Sequence, residues 1–271
     1  MAAACAYAGR VSIDPGPASP HAHVCLAYDD PAGFRAQAQG FLAEGLAAGE
    51  RLWYIAPKPP ESLPGPVRFV AVTDAYPTGA VIDPEAQIGE YAAATAEALA
   101  GGYTGLRVVA DVTPLVSTPA QLATFTRYEH LADRLICDSA FAAMCAYDRR
   151  LLGDDAIAQL AAMHARTNAD VPFRLTACPP ATGTAALSGE LDLSAADLLA
   201  GALERAGLAT GRAEVALDAS GLRFTDHRSL VQLDDYAGRH DVTMVLRRAP
   251  AAVSRLAGLL DLPRLRVETA R

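Results

Sequence analysis

The sequence predicts an α/β protein in two units, a larger parallel-sheet sandwich followed by a smaller α/β unit. Three observations lead there. Short apolar runs alternate with longer amphipathic segments along nearly the whole chain. The apolar runs are close to continuous, as parallel strands covered on both faces require. A Pro- and Thr-rich break, "NADVPFRLTACPPATG", interrupts the alternation, which then resumes on a smaller scale.

In order, "HVCLAYDD" reads as a strand and "PAGFRAQAQGFLAEGLAAGE" as a helix closed by Gly49. "RLWYIAP" is a strand stopped by Pro57, and "VRFVAVTDAY" a third strand. "PEAQIGEYAAATAEALAGG" is a helix ended by glycines. "LRVVADVT" is a strand, "TPAQLATFTRYEHLADRLI" a helix, "FAAMCAYDRR" a strand and "GDDAIAQLAAMHARTN" the last helix of the first unit. After the break come the strand "TAALSGELDL" and the helix "SAADLLAGALERAG", with Ser194 as expected N-cap. The strand "AEVALDASGL", the helix "HRSLVQLDDYAGRH", the strand "VTMVLRR", the helix "AAVSRLAGLLDL" and the strand "RLRVET" follow. The expected boundaries are a flexible tail at 1–20, a first unit at 21–168, a linker at 169–172 and a second unit at 173–271.

Composition narrows the function. Of 271 residues, 51% are hydrophobic and 20% charged, enough apolar material for two cores. The net charge of −8, with Lys58 the single lysine, argues against a nucleic-acid partner, which needs a basic face. No apolar stretch is long enough for a membrane span, and the N-terminus lacks the basic start and apolar core of a secretory signal. A cytoplasmic chain is expected. The cysteines Cys5, Cys25, Cys137, Cys145 and Cys178 form no CxxC pair and read as free thiols.

Candidate site residues fall in three groups. His23 and Cys25 are two apart on a strand and leave the same face, with Tyr28 on the other. With Cys145, and with His164 late in the last helix, they offer the ligand types of a metal or redox site. The alternative is ordinary burial. The second group sits at predicted strand ends, where open parallel sheets bind ligands. It comprises Tyr28, Asp29, Asp30, Tyr54, Asp111, Thr113, Tyr147, Asp148 and Arg149. Asp29 and Asp30 are expected to cap the next helix; Asp111 and Asp148 are divided between capping and binding. Glu129 and His130 are expected on a helix, partly solvated. A ligand pocket lined by His23, Cys25, Tyr28, Asp30, Tyr54, Asp111, Cys145, Tyr147, Asp148 and Arg149 is the favoured reading, with no bound cofactor and no metal. The third group is Asp226, His227, Arg228 and Ser229, before and at the start of a helix. There is no GxSxG, HExxH or EF-hand pattern, so no enzyme is expected.

The segments "HVCLAYDDPAGF", "FLAEGLAAGERLWYIAP", "GGYTGLRVVADVTPLV" and "MCAYDRRLLG…AAMHA" resemble the MEDS domain, a sensory domain of methanogens, methylotrophs and a dichloromethane-responsive regulator. The likeness covers about 21–168 and includes the His-x-Cys-x-x-Tyr signature as His23, Cys25 and Tyr28. It implies a RecA/KaiC-like sandwich that senses a small ligand, such as a hydrocarbon derivative. A vestigial nucleotide-binding role is a further alternative, but "YDDPAGFR" replaces the GxxxxGK[ST] phosphate loop.

The segments "LSGELDLSAADLL", "EVALDASGLRFTDHRSL" and "VLRRAPAAVSRLAGLLDL" resemble, in that order, a STAS domain, the fold of anti-sigma factor antagonists. The likeness covers 173–271 and implies a partner of the anti-sigma type, with a homodimer also allowed. In that family a hydroxyl after the Phe-x-Asp-Ser run is phosphorylated. Here the run is Phe224, Thr225, Asp226, His227, and the acceptor place falls on Arg228. The covalent trigger is therefore expected to be absent, with Ser220, Thr225 and Ser229 off-register.

Overall fold

The computed structural model describes residues 22–60, 62–76 and 81–269. The expected tail at 1–20, with Cys5, lies outside the described residues. The first unit runs β1 (His23–Tyr28), α1 (Pro31–Ala48), β2 (Arg51–Ala56), β3 (Val67–Ala71), α2 (Val72–Ala75), α3 (Pro84–Ala100), β4 (Leu106–Asp111) and, after a 3₁₀ turn, α4 (Pro119–Asp138). β5 (Phe141–Asp148), α5 (Arg149–Leu152), α6 (Asp154–Ala161) and β6 (Arg166–Thr167) follow. The second unit holds β7 (Phe173–Thr176), β8 (Ala185–Leu191), α7 (Ala196–Ala206), β9 (Glu214–Thr225), α8 (His227–Arg239), β10 (Thr243–Ala249), α9 (Ala251–Ala257) and β11 (Leu265–Thr269).

The fold is mixed α/β with a six-strand parallel sheet and a second, five-strand sheet. The first has the order β3-β2-β4-β5-β1-β6. One face carries α1 over Val24, Leu26, Tyr54, Val109 and Met144. The other carries α3, α4 and α6 over Cys25, Val108, Cys145 and Tyr147. Residues i and i+1 of each strand thus enter different cores, so the strands read as unbroken apolar runs. The second sheet has the order β11-β10-β9-β8-β7, with β7 alone antiparallel.

Five expectations need correction. Ser194 is not the N-cap of α7: Asp192 caps the 3₁₀ turn before it, accepting from Ser194 N–H at 2.9 Å. The break is not a loop throughout: Phe173 and Leu175 alternate inward and build β7 against β8. β3 stops at Ala71 and continues as a helical turn. The last helix of the first unit ends at Ala161, so His164 lies just beyond it. β9 runs through Thr225, so Phe224 and Thr225 belong to a strand.

Local signals explain the boundaries. Asp30 caps α1 by accepting from the N–H groups of Ala32 and Gly33, at 3.1 and 3.0 Å, and Pro31 supplies a preset first helical residue. Gly49 ends α1 at φ 77°, a conformation that favours glycine. In β8, Gly189 has φ 100° and lies against the backbone of Pro172 and Phe173, where a side chain would collide.

The two units share apolar surface. Ala162 and Met163, just past α6, are fully buried in the second unit's core, and Leu175 N–H donates to Ala162 O at 2.7 Å. α4 packs on the sheet-side neighbours α3 and β5 and also against α7. Among the described residues no helix is long and apolar enough to cross a membrane.

Candidate functional site

The ten residues expected to line one pocket separate into two groups. Strand alternation decides the split. His23 and Cys25 on β1, and Cys145 and Tyr147 on β5, point to the α4 side, with Cys25 opposite Cys145 in register. Tyr28, Asp30, Tyr54, Asp111, Asp148 and Arg149 lie at the strand ends or on the α1 side. Tyr147 is therefore not a rim residue: it is fully buried.

The rim closes on itself. Tyr28 OH donates to Asp111 Oδ2 at 3.2 Å, and the Thr113 hydroxyl donates to Asp111 Oδ1 at 2.9 Å. Thr113 Oγ1 also accepts from Asp148 N–H at 2.9 Å. Asp148 caps α5 and pairs with Arg150 Nη2 at 2.6 Å, and Arg149 reaches Asp29 at 3.7 Å and Asp154 at 3.4 Å. Arg150, which the sequence did not single out, is thus the main partner of Asp148. Tyr28 stacks on Phe34 at 5.0 Å, and Phe34 on Tyr54 at 6.2 Å. Burial lifts the Asp111 carboxyl above its ordinary range despite these bonds.

The interior group differs. Glu129 and Asp133, four apart on α4 and so on one helical face, meet His23. Both acids and His130 are buried, which overturns the expectation that Glu129 and His130 are partly solvated. His23 Nδ1 lies 2.9 Å from Asp133 Oδ1, and His23 Nε2 lies 3.2 Å from Glu129 Oε2. The Tyr147 hydroxyl donates to Glu129 Oε1, and the Cys145 thiol donates to Glu129 Oε2 at 3.5 Å. The His164 ring stacks on that of His23, with centroids 4.0 Å apart and planes 29° apart. Its Nδ1 lies 2.8 Å from Leu160 O. A carbonyl only accepts, so that nitrogen carries the proton.

His164 Nε2 is then an unprotonated nitrogen. It lies 3.5 Å from Glu129 Oε2, within ion-pair range, yet it makes no hydrogen bond. Two lone pairs face each other there. Burial and the neighbouring His23 charge push His164 down to about 4, which keeps it neutral. For His23, burial opposes the charge, but the bonds to Asp133 and Glu129 outweigh it and raise the group to about 9. Burial also opposes the Glu129 charge; the charge and hydrogen bond of His23 and the Tyr147 hydroxyl overcome this and hold its carboxyl below the usual range. Burial and Glu129 push the Cys145 thiol well up.

His23, Glu129, Cys145 and His164 offer ligand atoms that all lie within 4.8 Å of one another. Of the residues that the sequence offers for a metal or redox site, His23, Cys145 and His164 belong to this group and Cys25 does not. Cys25 hydrogen-bonds with Thr167, and burial takes its thiol to about 12. Glu129, which looks like a solvated helix residue in "TRYEHLAD", takes its place. In the second unit, Asp226 caps α8 by accepting from Ser229 N–H at 2.8 Å. His227 and Arg228 are exposed, whereas Ser229 and Thr225 are buried.

A search of curated proteins finds no match for the chain, and a search of solved structures finds none. The family model of the MEDS domain, the methanogen/methylotroph, DcmR sensory domain, matches residues 22–165, from just before β1 to just before β6. The matched span holds His23, Glu129, Asp133, Cys145, Tyr147 and His164, and the second sheet lies outside it. The chain belongs to the MEDS family, whose sensory character points to a role in sensing or signalling.

Proposed function

We propose that this chain is a cytoplasmic signal receiver and not an enzyme. Its first unit holds a small ligand, and its second unit, a STAS-like module, docks a regulatory protein of the anti-sigma type. The carrying observation is the hydrogen bond from Ala177 N–H to Asp133 Oδ2 at 2.6 Å. Asp133 spends its other oxygen on His23, and Ala177 directly follows β7. A change of charge or position at His23 therefore reaches the second sheet through one side chain. A signal need only favour one arrangement by about 1–3 kcal/mol.

The second unit carries features suited to docking. Leu193, Phe224 and Val231 are exposed by 64%, 50% and 40%; Phe224 and Val231 flank Arg228 in the chain, and Leu193 follows β8, whose Leu191 lies opposite Thr225. Ser229 and Thr225 are out of a kinase's reach. Switching then comes from the first unit and not from a phosphate on the α8 N-terminus. A nucleotide is disfavoured at the rim, where Asp29, Asp30, Asp111 and Asp148 would repel phosphate.

Amide hydrogen exchange on the full chain tests the coupling. Asp133→Asn keeps the shape but weakens the pairing with His23. Faster exchange is expected in β7 and β8, with β2 and β3 unchanged. Identical protection in the second sheet would sink the reading.

A further inference from the structure

The four atoms around Glu129 Oε2 are arranged as a metal centre is. Both histidines turn Nε2 inward and commit Nδ1 to an outer acceptor. His23 Nδ1 meets the Asp133 carboxylate at 2.9 Å, and His164 Nδ1 meets the Leu160 carbonyl at 2.8 Å. Glu129 commits Oε1 to the Tyr147 hydroxyl and leaves Oε2 facing the histidines and Cys145. Metal sites have this build: each ligand is oriented by a partner behind it, and carboxylate–histidine pairs fix the ring tautomer.

Distances agree. Tetrahedral zinc with bonds near 2.0–2.3 Å needs ligand atoms about 3.3–3.8 Å apart. Glu129 Oε2 lies 3.2 Å from His23 Nε2, 3.5 Å from His164 Nε2 and 3.5 Å from Cys145 Sγ. All four atoms fit within 4.8 Å, and the 29° tilt between the imidazoles lets their inward nitrogens converge. The independent sign of a ligand is His164 Nε2. It is fully buried, aimed at Glu129 and without a hydrogen-bond partner. Such a nitrogen is costly unless something accepts its lone pair.

We propose that His23 Nε2, His164 Nε2, Glu129 Oε2 and Cys145 Sγ bind one borderline divalent transition ion of the zinc class. The inference deepens the sensory reading by naming the first unit's ligand. Two nitrogens, one oxygen and one sulfur form a closed four-ligand set, without the open position that a catalytic metal keeps. The exchange is balanced. The entering dication displaces one proton from His23 Nε2 and one from Cys145 Sγ, and a coordinated thiol is deprotonated outright. The charge within the ligand set is zero before, from His23⁺ and Glu129⁻, and zero after, from the dication, Glu129⁻ and the Cys145 thiolate. No net charge enters the core. His23 loses its proton toward Glu129, and its bond to Asp133 changes from that of an imidazolium to that of a metal-bound imidazole. Asp133 is also the residue that holds Ala177 N–H.

Cobalt(II) is the probe. The full chain is unfolded with chelator and reductant, then refolded with Co(II), because a sealed site fills most readily as the chain folds. One equivalent is expected to bind, with tetrahedral visible bands, a thiolate-to-cobalt charge-transfer band and release of two protons. Cys145→Ser should abolish the charge-transfer band, whereas the double variant Cys137→Ser/Cys178→Ser should keep it. Asp133→Asn should weaken binding by about 10–100-fold. Absence of stoichiometric tetrahedral cobalt in the wild type overturns the proposal. A band that survives Cys145→Ser, or that vanishes with Cys137 and Cys178, also overturns it. Should Cys145→Ser not fold, the wild type and the double variant decide between these outcomes. Failure here leaves the exchange test of Asp133 standing, and unchanged exchange in Asp133→Asn removes the coupling without touching the metal.

Discussion

The strand-end rim and the interior cluster are built from the same kinds of residue and treat their charges differently. At the rim, Asp30, Asp111 and Asp148 find hydroxyls, helix N-termini and arginines, and water reaches part of the group. In the interior, Glu129 serves His23, Cys145 and Tyr147 with two oxygens, and His164 Nε2 is left over. Strand ends are the usual place for a ligand in an open parallel sheet. In this chain an unpartnered imidazole nitrogen, His164 Nε2, lies one layer deeper, beside β1, β5 and α4. A site is better located by which polar atoms lack partners than by where polar residues gather.

Substitution can break that contrast. The largest effect is expected from Glu129→Ala, which takes from the His23 imidazolium one of its two carboxylate partners and from the Tyr147 hydroxyl its acceptor, both in the core. A loss of about 3–5 kcal/mol, read by urea unfolding in the presence of chelator, follows from removing one partner of a buried ion pair. A loss below about 1 kcal/mol would mean that the cluster is not ionised.

An intermediate effect concerns pH. His23 is raised to about 9, so its contribution is full below about 6.5 and fades as pH rises through about 9. His130 and His164 are lowered to about 4, His130 by burial despite Asp133 and aided by Arg134 and Arg127. Their contribution is full above about 6.5 and fades as pH falls toward 4. Stability of the chelated chain should peak near neutrality and fall on both sides. A flat profile between about pH 4 and 9 would contradict this.

The smallest effect belongs to the rim. Arg149→Ala breaks two partly exposed contacts and should change stability by no more than about 1 kcal/mol. A larger loss would make the rim as demanding as the interior.

Most of the fold was legible because strand and helix periods are written locally. "HVCLAYDD" and "FAAMCAYDRR" announce buried strands, and Asp30-Pro31 and Gly49 mark the ends of α1. β7 was hidden by the prolines on either side of it and by its four-residue length, too short for a period to show. The site was half legible. His23, Cys145 and His164 stood out by residue type, but Glu129 and Asp133 did not. A helix spaced "RYEHLADR" looks solvated, and only the packing of α4 between the first sheet and α7 reveals that it is not. That second covering comes from residues far along the chain, which no local window contains.

Ala162 and Met163 belong by sequence to one lobe and by burial to the other. A truncation at the link between the sheets would therefore leave each fragment with a raw apolar wound. Neither lobe is a detachable cassette, and grafting the sensory half onto another output would require carrying its neighbour's floor along with it.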